Sequence, residues 1–141
     1  MISAALLAST KAHEGYRARA YQDTKGIWTI GYGTNLQELQ IDDEIAETWL
    51  YDKLNQAETS AGGFPWFSTL SDVRQDVVVE MIYNLGLPRF AKFSKMILAL
   101  AERKYNEAAV QMLDSEWHKQ VGKRAERLAT QMISGEYWNV P

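Results

Sequence analysis

Hydrophobic positions along this chain recur with two different periods, and the changes of period mark its elements. Ile2, Ala5, Leu6 and Ser9 fit one face of a short helix over residues 2–12 that ends near Gly15. From Tyr16 the pattern becomes β-like. Tyr16, Ala18, Ala20 and the run Ile27 to Tyr32 read as strands, with a hairpin turn at Lys25-Gly26, so a small antiparallel sheet is predicted over 16–34. Gly31 and Gly33 flank Tyr32 and permit a bend or a close backbone approach at a strand end. The helical period returns over roughly 43–60. Asp42 or Asp43 caps it, and Glu44 and Glu47 lie in its first turns, where the helix dipole favours them. Its predicted apolar stripe is Ile45, Trp49, Leu50 and Leu54. A helix of about 17 residues is about 25 Å long, enough for a strut between two lobes. Gly62-Gly63-Phe64-Pro65 then breaks it.

Beyond that break the pattern is helical throughout. Ser71 caps a helix whose inward face is Val73, Val77, Val78, Met81, Ile82 and Leu85, and Gly86 with Pro88 stops it. Ser94 opens a helix to about Ala101. Asn106 opens another, with Ala108, Ala109, Met112 and Leu113 inward. A last helix runs from Lys123 to Ser134 and stops at Gly135, after which Tyr137 and Trp138 pack back on the body. The resulting expectation is one α+β domain, 1–141. It has a small β-containing lobe at about 13–62 and a larger all-helical lobe at about 63–141, on which the helix 2–12 packs.

Composition narrows the options. Hydrophobic residues are 46% of the chain and charged residues 23%, which supplies a core and argues against disorder. The net charge of −3 speaks against nucleic acid as a partner. Residues 1–62 carry five Lys/Arg against nine Asp/Glu, whereas 63–141 carry ten against nine. Lys119, Lys123, Arg124 and Arg127 form the one notable basic cluster. Lys119, Lys123 and Arg127 are spaced to line one helix face, which reads first as a solvated face and second as a polyanion-binding one. There is no cysteine, so disulfides and thiolate metal sites are excluded. No apolar run nears the roughly 20 residues that span a bilayer, and residues 1–12 make a poor signal peptide. His13 and His118 are too few for a metal site; neither metal nor cofactor is expected.

The candidate chemistry lies in the segment Glu14 to Gly33. Glu14 follows the first helix, where partial burial would favour its protonated form, as a general acid needs. Asp23, nine residues on, precedes the hairpin turn, where solvent keeps it ionised and able to activate water. Thr29 offers a hydroxyl to hold that water. Two carboxylates facing each other serve glycosidic bond hydrolysis. Spacing alone equally admits a helix-end charge, an Asx-turn residue and an ordinary strand threonine.

The pattern Glu14-Gly-x-Arg-x-x-x-Tyr-x-Asp23-x-x-Gly-x-x-Thr29-Ile-Gly-x-Gly33 closely resembles the bacteriophage T4-type lysozymes, glycoside hydrolase family 24. The resemblance continues through Glu80-Met-Ile-Tyr83-Asn84-Leu-Gly86, Phe93, Asn106-Glu-Ala-Ala109, and Trp117 through Arg124-Ala-Glu-Arg127 to Ser134-Gly135. It implies a lysozyme-like fold in which a long helix joins the lobes. The implied activity is muramidase cleavage of the β-1,4 bond between N-acetylmuramic acid and N-acetylglucosamine, with inversion. Glu14 matches the general acid, and Asp23 matches the carboxylate that works with Thr29 on the attacking water. Arg124 matches an arginine that supports the catalytic glutamate. A guanidinium lowers that glutamate's pKa while desolvation raises it, and sequence leaves the balance open. Tyr83 and Asn84 fall where the family's helical lobe lines the cleft; Gln111 and Gln120 are further candidates for amide or peptide-stem contacts. The five tryptophans, Trp28, Trp49, Trp66, Trp117 and Trp138, read better as core than as sugar platforms.

The chain departs from the family pattern at Thr34-Asn35, where well-known members carry a histidine, and in its short Asn35–Asp42 connection. The resemblance further implies a phage endolysin that acts on peptidoglycan glycan strands. It would be a monomer made in the host cytoplasm that reaches the periplasmic wall, without inserting in the membrane, once a holin has permeabilised it. Two rival readings are a lytic transglycosylase, which needs no water-activating Asp23, and a non-catalytic wall-binding or structural phage module.

Overall fold

The computed structural model describes residues 1–141, which form two compact units, Met1–Ala46 and Glu47–Pro141. In the first unit, helix α1 (Ala4–Glu14) precedes strands β1 (Arg17–Gln22), β2 (Trp28–Gly31) and β3 (Thr34–Asn35), which form an antiparallel sheet in that order. Ser3 caps α1 by accepting from the Leu6 amide at 3.1 Å, and the Gly15 amide closes it on the Lys11 carbonyl at 3.0 Å. No residue of α1 is buried. The β1–β2 register pairs Tyr21 with Thr29 and Gln22 with Trp28, then slips by a bulge before Arg17 meets Gly31. The Lys25-Gly26 turn falls where the sequence puts it, closed by the Gly26 amide on the Asp23 carbonyl at 2.9 Å.

Helix α2 (Asp43–Ala61) begins in the first unit and continues through the second. Asp42 is its cap, accepting from the Ile45 amide at 3.1 Å. The chain then runs through α3 (Asp72–Leu85), α4 (Leu87–Phe90), α5 (Ser94–Ala101), α6 (Tyr105–Leu113), α7 (Glu116–Val121) and α8 (Lys123–Ser134). The core lies in the second unit. An aromatic series runs through it: Phe64 stacks on Trp66 with centroids 5.0 Å apart and meets Phe90 edge-on, Phe90 stacks on Phe93, and Phe93 meets Trp117 edge-on. No helix is long and apolar enough to cross a membrane.

The structure corrects several expectations. The division falls inside α2 rather than at Gly62–Pro65, because Leu54, Ala57 and Ala61 of α2 pack into the helical core. Helix α1 belongs to the first unit. The predicted stripe on α2 is largely exposed at Ile45, Trp49 and Leu50; the buried positions are alanines, whose small side chains let the helix approach closely. Leu113 is exposed, not inward. Helices α4 and α7 are additional, and Gly122 separates α7 from α8 with φ 56° and ψ −116°, a conformation glycine adopts readily. Lys119 therefore sits on a different helix from Lys123 and Arg127, so the three do not line one face.

Candidate active site

Two of the three predicted catalytic residues lie on the β1–β2 hairpin. Asp23 closes the turn as an Asx residue: its Oδ1 accepts from the Lys25 amide at 2.8 Å and from the Ile27 amide at 2.9 Å. No hydrogen bond within the protein falls on Oδ2. Asp23 is half-buried, and its amide donates to the Ile27 carbonyl at 2.9 Å, which sets it opposite Ile27. Thr29 lies two residues beyond Ile27 and therefore faces the same side of the hairpin, a diagonal neighbour of Asp23. Thr29 is buried at 4% exposure, and its hydroxyl donates to the Ile27 carbonyl at 2.9 Å. The donor is thereby used, leaving the oxygen lone pairs to accept from a water.

Glu14 ends α1 and is solvent-exposed, so the expected partial burial is absent. It makes no hydrogen bond or ion pair. Its carboxyl lies close over the turn between β2 and β3: a Cβ built on Gly33 would lie 2.7 Å from Glu14 Oε2 and 3.3 Å from its Cδ. One turn earlier on α1, Lys11 Nζ lies over the Tyr32 ring at 5.2 Å, and Tyr32 packs on Tyr16 at 5.5 Å between centroids. Helix α1 is thus laid on Tyr32-Gly33 through Lys11 and Glu14. Glu14, Asp23 and Thr29 all belong to residues 1–46.

The helical unit carries the remaining candidates. Arg124 Nε donates to Glu80 Oε2 at 2.9 Å, both side chains being about a third exposed. Tyr83 is exposed on α3. Asn84 is also exposed, but its Oδ1 accepts from Trp117 Nε1 at 2.7 Å, so its amide group is oriented by the aromatic core. Gln120 accepts from Arg89 Nη2 at 3.2 Å. Gln111 is half-buried and lines a cavity of about 560 Å³. Arg89, Lys92 and Lys95 bring three cations to that cavity and Asp114 and Glu116 two carboxylates, while Phe93 and Trp117 give it apolar wall. No sequence motif marks these cations; their one signal is close spacing around Phe93.

The tryptophans divide. Trp66 and Trp117 are core residues, as expected. Trp28 and Trp49 are about half exposed, contrary to expectation. Trp138 is half-buried, with the Arg127 guanidinium 4.6 Å over its ring. Nowhere do three or more His, Asp or Glu side chains converge as ligands for a metal ion.

Comparison with known proteins places this geometry in context. Residues 11–131 match the family model described as Phage lysozyme. The chain is 24% identical to "Probable T4-type lysozyme 2" of Dictyostelium discoideum, an alignment covering 89% of this chain and 91% of that one. It is 25% identical to "Probable T4-type lysozyme 1" of the same organism over the same shares. It is 30% identical to "Endolysin" of Acyrthosiphon pisum secondary endosymbiont phage 1, covering 81% of this chain and 79% of the relative.

Proposed function

This chain belongs to the phage lysozyme family, and from that premise we propose that it is a muramidase cleaving the β-1,4 bond between N-acetylmuramic acid and N-acetylglucosamine in peptidoglycan. The observation that carries the reading is the arrangement on residues 1–46. A proton-donating carboxyl is seated on Gly33, and a second carboxylate has one oxygen fixed by two amides and the other left for water. Glu14 gives its proton to the glycosidic oxygen as the bond to the anomeric carbon breaks. A water held at Asp23 Oδ2 and the Thr29 hydroxyl attacks that carbon from the opposite face, and Asp23 takes the water's proton. The anomeric centre inverts, which suits carboxyl groups roughly 6.5–9.5 Å apart.

Binding by the helical unit falls to Tyr83, Asn84, Gln111 and Gln120. Tyr83 offers a ring to the C–H face of a sugar, and the amides meet hydroxyls and stem peptide. The mixed charges around Gln111, three cations and two carboxylates, suit the polar groups of the stem peptide. Arg124, matched by resemblance to a support of the acid, is held by the Glu80 carboxylate within the helical unit. In the cell the protein acts as a monomeric endolysin, reaching the wall after a holin has opened the membrane.

The test is clearance of a suspension of purified sacculi by the wild type and by Glu14→Gln. Wild type should clear it, and the amide, unable to donate an acidic proton, should lower the rate by about 10²–10⁴-fold. Mass spectrometry of the released muropeptides should show one water added and a reducing end. Anhydro-muramic products would make it a transglycosylase. Equal inactivity of both proteins across pH and salt would leave a wall-binding module.

A further inference from the structure

We propose that Gly33 is a positioning residue for the proton donor: the absence of a side chain there fixes where the Glu14 carboxyl stands. The inference rests on the reading of Glu14 as the acid. Gly33 has φ +83°, in the left-handed region, and it forms the seat of the Glu14 side chain. A Cβ at this position would stand 2.7 Å from Oε2, 3.3 Å from Cδ and 3.9 Å from Cγ of Glu14. The nearest approach is far inside van der Waals contact, so something must move. What meets the added atom is the end of a flexible side chain on an exposed helix terminus. The backbone can stay while the carboxyl swings away.

That makes the consequence chemical more than structural. Displacing a reacting group by about 1 Å costs on the order of 10²-fold in rate, because proton transfer needs the donor in line with the leaving oxygen. Substrate binding by the rest of the protein is untouched, so the loss belongs in kcat.

Gly31 supplies the control. It lies two residues earlier on the same hairpin, has φ +70°, and nothing stands within 4 Å of a Cβ built on it. Alanine at either position suffers similar left-handed strain, but only at Gly33 does it meet Glu14.

The experiment compares Gly33→Ala with Gly31→Ala, using a soluble peptidoglycan fragment and thermal unfolding. Both variants should lose a few degrees of Tm. Gly33→Ala should lose about 10²-fold in kcat with KM nearly unchanged, and the limb of its pH–kcat profile that reports the proton donor should move. Gly31→Ala should keep kcat within a few-fold and keep that limb in place. If alanine unfolds the protein, the pair Gly33→Asn and Gly31→Asn replaces it: asparagine tolerates positive φ and carries the same Cβ. Equal losses of kcat at the two positions, or wild-type kcat in Gly33→Ala, would overturn the proposal. Full activity in Glu14→Gln would instead refute the acid reading and leave Gly33 with nothing to position.

Discussion

The proposed mechanism gives Asp23 two separable jobs, one for each oxygen. Oδ1 holds the hairpin turn through the Lys25 and Ile27 amides, and Oδ2 is the oxygen available to water. Asparagine keeps an acceptor for both amides but cannot take a proton from water; alanine keeps neither. Asp23→Asn should therefore retain the wild-type Tm while losing about 10²–10⁴-fold in rate. Asp23→Ala should lose the same rate and also about 1–2 kcal/mol of stability, read by urea unfolding. Activity in Asp23→Asn near wild type would confine the residue to its turn. At this scale the sequence shows residue types well and contacts poorly. The Asx-turn role and the water-activating role read as alternatives from spacing; the structure shows the first on Oδ1 and leaves Oδ2 open for the second. The seat of Glu14 on Gly33 was not legible, because it depends on how α1 lies on the turn after β2.

Helix boundaries were readable wherever a cap and a stop are local. Ser71, Asp42, Gly86 and Gly135 all act at the positions their chemistry indicates. Helix α7 escaped because six residues give too few turns for a period to show, although Ser115 caps it in the usual way, accepting from the His118 amide at 3.1 Å. The α2 stripe failed for another reason: large apolar residues suggest burial, but small ones permit the closest packing, and the core took Ala57 and Ala61. One tie between elements has no sequence signature. Arg74 of α3 donates from Nε to the Met132 carbonyl at 2.7 Å and from Nη2 to the Ile133 carbonyl at 3.0 Å. Its guanidinium also lies 3.9 Å over the Tyr105 ring. It thus satisfies carbonyls at the end of α8 that the helix leaves unpaired. Lysine keeps the charge but lacks the planar fork. Arg74→Lys should lower stability by about 1–2 kcal/mol while specific activity of the folded fraction stays the same. An unchanged unfolding midpoint would show that the tie contributes nothing.

Over the whole molecule, attraction to an anionic wall depends on how many cations remain uncompensated. The net charge is −3, and the basic cluster is weaker than its composition suggests. Lys119 pairs with Glu116 at 2.8 Å, which also holds its pKa above the ordinary value, and Arg124 pairs with Glu80. Arg127 lies over Trp138. With Gly122 dividing α7 from α8, the cluster is not the continuous stripe that its spacing implies. The family was legible because its motifs are local; the charge pattern was not, because pairing partners such as Glu80 lie 44 residues away. Lys119→Glu with Lys123→Glu tests what remains. Each reversal changes the charge by two, so −3 becomes −7. The double variant should bind sacculi several-fold more weakly at low ionic strength, where charges interact over about 30 Å at 0.01 M. By 0.15 M, with screening at about 8 Å, the difference should largely vanish, since the remaining affinity comes from contacts with sugar and peptide. A pull-down with sacculi across that salt range measures both limbs. Equal binding at low salt would show that the cluster has no part in finding the wall, and a deficit that persists at high salt would place Lys119 or Lys123 in direct contact with it.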